Sequence, residues 1–130
     1  MITYNDIYDA LRKERYSEQL QLLSKNFVRE VASYVKDREE ISKKSTDLFS
    51  EENQKNKKQL ENTIAIFKEL ILRRKKKLLE LAFVSAETGV SKRDFDNMMD
   101  FERESFEQIM RAISGGDKKI EKTTCCGGIF

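Results

Sequence analysis

The chain has 130 residues, 25 basic and 23 acidic, a formal net charge of +2, no proline, five glycines, two cysteines and no histidine. This size fits one domain, the near-balance of charge excludes the basic footprint of a dedicated nucleic-acid binder, and the missing histidine removes the commonest acid–base catalyst and zinc ligand. With no proline and 37% charged residues, the composition points to an all-α protein.

Residues 3 to 14 read as a short first helix. Thr3 or Asn5 can cap it and Asp6 favours its first turn. Its apolar face is Tyr4, Ile7, Tyr8 and Leu11. Met1 to Ala10 carries Asn5, Asp6 and Asp9 and so lacks the basic-then-apolar pattern of a secretory signal. Arg15 and Tyr16 turn the chain. Ser17 to Leu23, with Leu20, Leu22 and Leu23, is expected to form one or two helical turns. Ser24 suits the N-cap of a second helix over about Lys25 to Lys44. Its seam of Phe27, Val31, Tyr34 or Val35, and Ile41 repeats every three or four residues. Lys43 to Lys58 is polar apart from Leu48 and Phe49 and reads as a turn or frayed link. Ser50 followed by Glu51 and Glu52 is a restart signal within it.

Asn56 to Gly89 is the stretch that organises the chain. It holds no proline, and its one glycine lies at the far end. As a helix it would be a rod of roughly 50 Å. At ~100° per residue, Ile64, Phe67, Ile71 and Leu78 share one face, Leu72, Leu79 and Phe83 a second, and Ile66 and Val84 lie behind. A helix that is apolar nearly all round needs cover on several sides. The expectation is a bundle around one long central helix, part of which another protein covers. The candidate interface residues are Ile64, Phe67, Ile71, Leu78, Leu79, Leu81 and Phe83.

Gly89 is placed to end the rod. Ser91, with Asp94 three residues on, opens a last helix with an apolar face of Phe95, Met98, Met99, Phe106, Ile109, Met110 and Ile113. Gly115 and Gly116 are expected to stop it. That divides the chain into a helical domain over 1–114 and a flexible linker or C-terminal tail over 115–130 that does not pack into the core. The tail's Cys125-Cys126 lacks the spacing of a zinc site and does not form a prenylation box.

Two charges fall on apolar seams. Arg74 lies among Phe67, Leu70, Leu78 and Leu81 on the wheel, and Glu102 lies in the middle of the last helix's apolar face. An unpaired buried charge is very costly. Arg74 precedes Gly89 by about as many residues as Glu102 follows it, so antiparallel packing would bring the two within about one turn. A direct ion pair, escape of one side chain to solvent, and pairing with another subunit all stay open. The neighbouring run Arg73 to Lys77 is five consecutive cations. On a helix it points in five directions, which suits a solvated face with Arg73 and Lys76 near Glu69 and Glu80 better than a DNA contact. No phosphate loop, G-x-S-x-G or H-E-x-x-H pattern is present. No pair of carboxylates sits in a readable catalytic geometry. The reading is a non-enzyme without a cofactor. No apolar run exceeds four residues, as at Leu81 to Val84, so nothing in the sequence suits a membrane span.

Two stretches together resemble a subunit of the GINS complex, the replicative-helicase accessory factor of archaea and eukaryotes. One is Tyr4-Asn5-Asp6-Ile7-Tyr8-Asp9-Ala10-Leu11-Arg12-Lys13-Glu14, continuing to Leu20, Leu23, Phe27, Val31 and Tyr34. It is similar to the opening of archaeal subunits in which the helical domain comes first. The other is Arg74-x-x-Lys77-Leu78-Leu79-x-Leu81-Ala82, similar to the core of that family's long helix. The resemblance spans roughly residues 3 to 113. It implies a scaffold that joins other GINS subunits in a tetramer, often two copies each of two related subunits. It also implies contact with the MCM helicase and with a RecJ-like exonuclease-family protein, and at most indirect or weak contact with DNA. The setting would be cytoplasmic and nucleoid-associated, or nuclear in a eukaryote. Family members of this order continue into a small β-rich domain, for which the residues up to Phe130 leave no room. A helical nucleic-acid-binding module relying on Arg73 to Lys77, and a generic helical adaptor, are the alternative readings.

Overall fold

The computed structural model describes residues 1–44 and 50–124. Leu48, Phe49, Cys125 and Cys126, singled out above, lie outside the described residues. Five helices and no strand are present among those described: α1 (Tyr4–Arg15), α2 (Phe27–Lys44), α3 (Glu51–Thr88), α4 (Lys92–Asp96) and α5 (Asp100–Thr124). The protein is all-α, and α3, with 38 residues, is the shaft on which α1, α2 and α5 pack.

Local signals set most of the helix ends. Thr3 caps α1 through a reciprocal box: its hydroxyl accepts from the Asp6 N–H, and the Asp6 carboxylate accepts from the Thr3 N–H at 2.9 Å. Ser50 caps α3 by accepting from the Asn53 N–H. The shaft therefore starts earlier than Asn56, at the restart signal itself, and is about 57 Å long. Gly89 closes α3 at φ 82°, a backbone angle that glycine adopts without steric cost. Ser91 caps α4.

The box also titrates. Hydrogen bonds from the Thr3 backbone and hydroxyl hold the Asp6 carboxyl below the usual aspartate range. A carboxyl whose pKa is lowered by folding stabilises the fold above its unfolded pKa, and loses that contribution as pH falls through the folded value. An NMR titration of Asp6 should therefore show a midpoint below that of aspartate in a model peptide. In Thr3→Val, which loses the side-chain hydrogen bond to the Asp6 carboxyl, that midpoint should move up.

Three expectations are corrected. Ser17 to Leu23 is not helical. Three of its carbonyls accept from outside the segment: Gln19 from Lys77, Leu20 from Asn97 and Gln21 from Arg74. Those tertiary bonds displace the i to i−4 ladder, and Leu20 is thereby driven into the core. The last helix is two helices, broken at Asn97–Met99. Gly115 and Gly116 do not stop α5, which runs through them to Thr124. Residues 116 to 124 are helical yet exposed, so this end of α5 projects from the core. A Cβ at either glycine meets nothing within 4 Å. Gly115→Ala and Gly116→Ala should therefore each favour the helix by roughly 0.5–1 kcal/mol, read as slower amide exchange over 116–124 with the global melting temperature nearly unchanged.

The core is in two parts along the shaft. Ile7 and Leu11 of α1, Phe27 and Val31 of α2, and Leu70 of α3 form one cluster. Leu20, Leu78, Ala82, Met98 and Phe106 form the other, with Leu81, Phe95 and Ile109 against it. Between the two lies Arg74.

Candidate functional site

Arg74 is fully buried, as are Glu14 and Glu102 to within a few per cent. Arg74 lies midway along α3 on the stripe of Leu70, Leu78 and Ala82. Its Nε donates to Glu102 Oε2 at 3.0 Å and its Nη2 to Glu102 Oε1 at 2.7 Å, a bidentate fork. Nη1 donates to Glu14 Oε1 and to the Gln21 carbonyl, both at 2.6 Å, and Nη2 also to the Asn97 carbonyl at 3.1 Å. All five guanidinium N–H groups are thus used.

The carboxylates are equally well held. Glu14 Oε2 accepts from Lys77 Nζ and from the Gln21 N–H, and Glu102 Oε1 accepts from the Met99 N–H at 2.9 Å. Lys77 further donates to the Glu14 and Gln19 carbonyls, at 2.7 and 3.0 Å. Two cations and two carboxylates leave the cluster neutral. Burial alone would lower the pKa of Arg74. The hydrogen bond and charge of Glu102, then the charge and hydrogen bond of Glu14, outweigh it, so the pKa lies above its ordinary value. The guanidinium stays charged at any accessible pH.

The cluster explains two breaks in the fold. Glu102 is the third residue of α5 and reaches back to the Met99 N–H, the carboxylate half of a capping box. Asn97 gives its carbonyl to Arg74 and its side-chain amide to the Leu20 carbonyl. The α4–α5 break and the 17–23 crossover are therefore fixed on the same few side chains. Every element these residues belong to meets at Arg74, which can order the bundle but offers no open face to a ligand.

Sequence reasoning named Arg74 and Glu102, and the structure brings them together. It missed Glu14, Lys77, Gln21 and Asn97 as partners. Glu14 had a signal: Ile7, Leu11 and Glu14 are spaced four and three apart, and all three are buried. Asn97 and the Gln21 carbonyl had none, because their contacts depend on non-helical backbone. Of the five-cation run, Arg74 and Lys77 are consumed internally and Arg73 pairs with Glu69 at 3.4 Å. Glu69 also accepts from Arg15 at 2.6 Å. Lys75 and Lys76 are left exposed.

The interface candidates divide. Leu78 is buried in the chain's own core, and Phe67 and Leu81 are packed against it. Those three are covered from within by α1, α2 and α5, an outcome the wheel could not foresee because it assigned no internal neighbours. Ile64 and Ile71 are half-buried. Leu79 and Phe83 stand 54% and 65% exposed, in company with Leu72 at 52%, while Val84, 55% exposed, lies on another side of the helix. Beside this strip a groove of about 300 Å³ runs between α3 and α5, lined by Ile71, Lys75, Leu78, Leu79, Phe101, Glu102, Ser105 and Ile109. Phe101 is itself 49% exposed. Large apolar side chains grouped in this way on a surface mark an interaction face more often than scattered ones do.

No helix among the described residues is long and apolar enough to cross a membrane. No protein-family model, curated protein or solved structure matches the chain.

Proposed function

We propose that the chain is a non-enzymatic assembly subunit of the GINS type, a helical scaffold that joins related subunits and bridges to the MCM replicative helicase. One observation carries the reading. The two stretches on which the resemblance rests, Tyr4 to Glu14 and Arg74 to Ala82, lie sixty residues apart in sequence. They meet through Glu14, which binds both Arg74 and Lys77. The motif residues thus serve each other: the Arg74-x-x-Lys77 spacing puts two cations one turn apart on one side of α3, where one carboxylate from α1 takes both. The exposed strip on α3 and α5 supplies an unoccupied face for an assembly partner.

The nucleic-acid reading is weakened because three of the five consecutive cations are engaged inside the chain. The test is affinity capture of the tagged chain against purified MCM helicase and a purified second GINS-type subunit. Retention of either at micromolar concentration supports the proposal. Retention of neither, with the fold verified by circular dichroism, rejects it in favour of an unrelated helical adaptor.

A further inference from the structure

The two core clusters divide the helices between them. The first takes side chains from α1, α2 and α3 and, among the described residues, none from α4 or α5. The second takes Leu78 and Ala82 of α3, Leu20 of the crossover, and Met98 and Phe106 beyond Gly89. Among the described residues it takes none from α1 or α2. Of the helices, only α3 contributes to both. Polar contacts follow the same division. Those tying the residues after Gly89 to the rest of the chain converge on Arg74 and Leu20. Arg74 forks onto Glu102 and reaches the Asn97 carbonyl, and the Asn97 amide donates to the Leu20 carbonyl.

We infer that residues 90–124 form a hinged arm that opens as one unit while α1, α2 and α3 stay folded, with the Arg74–Glu102 pair as its latch. Arg103 makes the arm one body. It donates to the Phe95 and Asp96 carbonyls at 3.1 and 3.3 Å, and its guanidinium lies 5.0 Å from the centre of the Phe95 ring. It thereby braces α4 against α5 across the break at Asn97–Met99. Gly89 is the joint: it is exposed, ends α3 at φ 82°, and as a glycine can pass between backbone regions that a side chain would bar.

The latch releases without stranding a buried charge. Glu102 leaves with α5 and enters water. Arg74 keeps Glu14 and the Gln21 carbonyl on Nη1, while its Nε and Nη2 come into contact with solvent. A broken internal ion pair is costly chiefly because one partner stays buried alone, and here neither does. The surface uncovered is Leu20, Leu78 and Ala82. Leu78 and the exposed Leu79 line the same groove against α5, so opening joins the covered stripe to the strip already exposed. The seated arm thus sets how much apolar surface the long helix shows.

Native-state hydrogen exchange of the full chain tests the arm. The amides of residues 104–113 should share one opening free energy. Its denaturant slope should be at most about half that of the amides in α1 and α2, because the arm exposes only part of the core. Val31→Ala, in the first cluster, should lower protection in α2 by at least about tenfold. The same change should leave residues 104–113 within about twofold, since the first cluster is intact whether the arm is seated or open. Glu102→Gln should lower protection over 104–113 by at least about thirtyfold. Circular dichroism verifies that each variant is folded, and the slope comparison decides the question in the unaltered chain even where a variant fails to fold. Equal slopes in the two regions overturn the inference, as does a loss of protection in α5 that matches the loss in α2 when Val31 is changed. A graded series of opening free energies along 104–113 marks fraying from the helix end and also overturns it.

Discussion

Replacing Arg74 by Met is expected to destabilise the fold by about 3–5 kcal/mol, the largest effect of any single polar substitution in this chain. The substitution removes one charge, strands the Glu102 carboxylate and takes one of Glu14's partners. Glu102 keeps only the Met99 N–H at Oε1, and Glu14 keeps Lys77 and the Gln21 N–H. The Gln21 and Asn97 carbonyls lose a donor as well. Each stranded group carries its own desolvation cost. At this chain length the melting temperature should fall by roughly 10–20 °C. Glu102→Gln keeps the shape, removes one charge and leaves half of the fork, for about 3 kcal/mol. The double variant R74M/E102Q should cost clearly less than the sum, since once one partner is gone the other has less to lose. Urea melts of the four proteins give the cycle. Strict additivity would mean that the 2.7 and 3.0 Å contacts carry no coupling energy.

What the sequence made legible follows from what local rules govern. Capping chemistry located the α1 and α4 starts, and Gly89 the end of α3, because each end is settled within four residues. Ser50 is a restart signal, yet the pattern supports the shaft only from Asn56, because the polar residues 51–58 show no apolar seam. The periodic seams gave Ile7, Leu11, Phe27, Val31 and Phe106 as core residues, since a helix shows its buried side in its spacing. Arg74 and Glu102 stood out because a charge on an apolar stripe contradicts its surroundings. The crossover at 17–23 was misread for the opposite reason. Leu20, Leu22 and Leu23 satisfy helical propensity, and nothing local records that Lys77, Asn97 and Arg74 will claim the carbonyls. The break at Asn97–Met99 was hidden in the same way. Gly115-Gly116 failed as a stop signal because two glycines cost only about 2 kcal/mol in an exposed helix, and no capping arrangement there rewards ending it. The wheel overstated the outer face of α3 because it shows which residues are apolar, not which neighbours come to them. Phe67, Leu78 and Leu81 are served from within the chain, and Leu72, Leu79 and Phe83 are not.

The second large effect concerns how α5 is held. Only Glu102 and Phe106 of this 25-residue helix are buried, a single turn apart, and Ile109, Met110 and Ile113 pack partly buried against the same cluster; the ion pair and the ring are its most deeply buried attachments. Phe106 is 1% exposed and packs with Leu20, Leu78, Ala82 and Met98. Phe106→Ala removes most of a buried aromatic side chain and leaves a cavity that the shaft cannot close, for about 3–5 kcal/mol. Phe101→Ala, five residues earlier on the same helix and half-exposed, should stay within about 0.5 kcal/mol for the isolated chain. The contrast separates anchoring from surface. A further consequence distinguishes a cavity from undocking. If the ring alone is lost, α5 stays seated and the denaturant slope is unchanged. If α5 leaves, Glu102 is withdrawn from Arg74, the folded state exposes the second cluster before the main transition, and the slope falls. Because the Arg74 fork holds α5 one turn from Phe106, the expected result is an unchanged slope with Phe106→Ala alone and a reduced one when Glu102→Gln is added. A reduced slope in the single variant would show that the ring, not the ion pair, keeps α5 on the shaft.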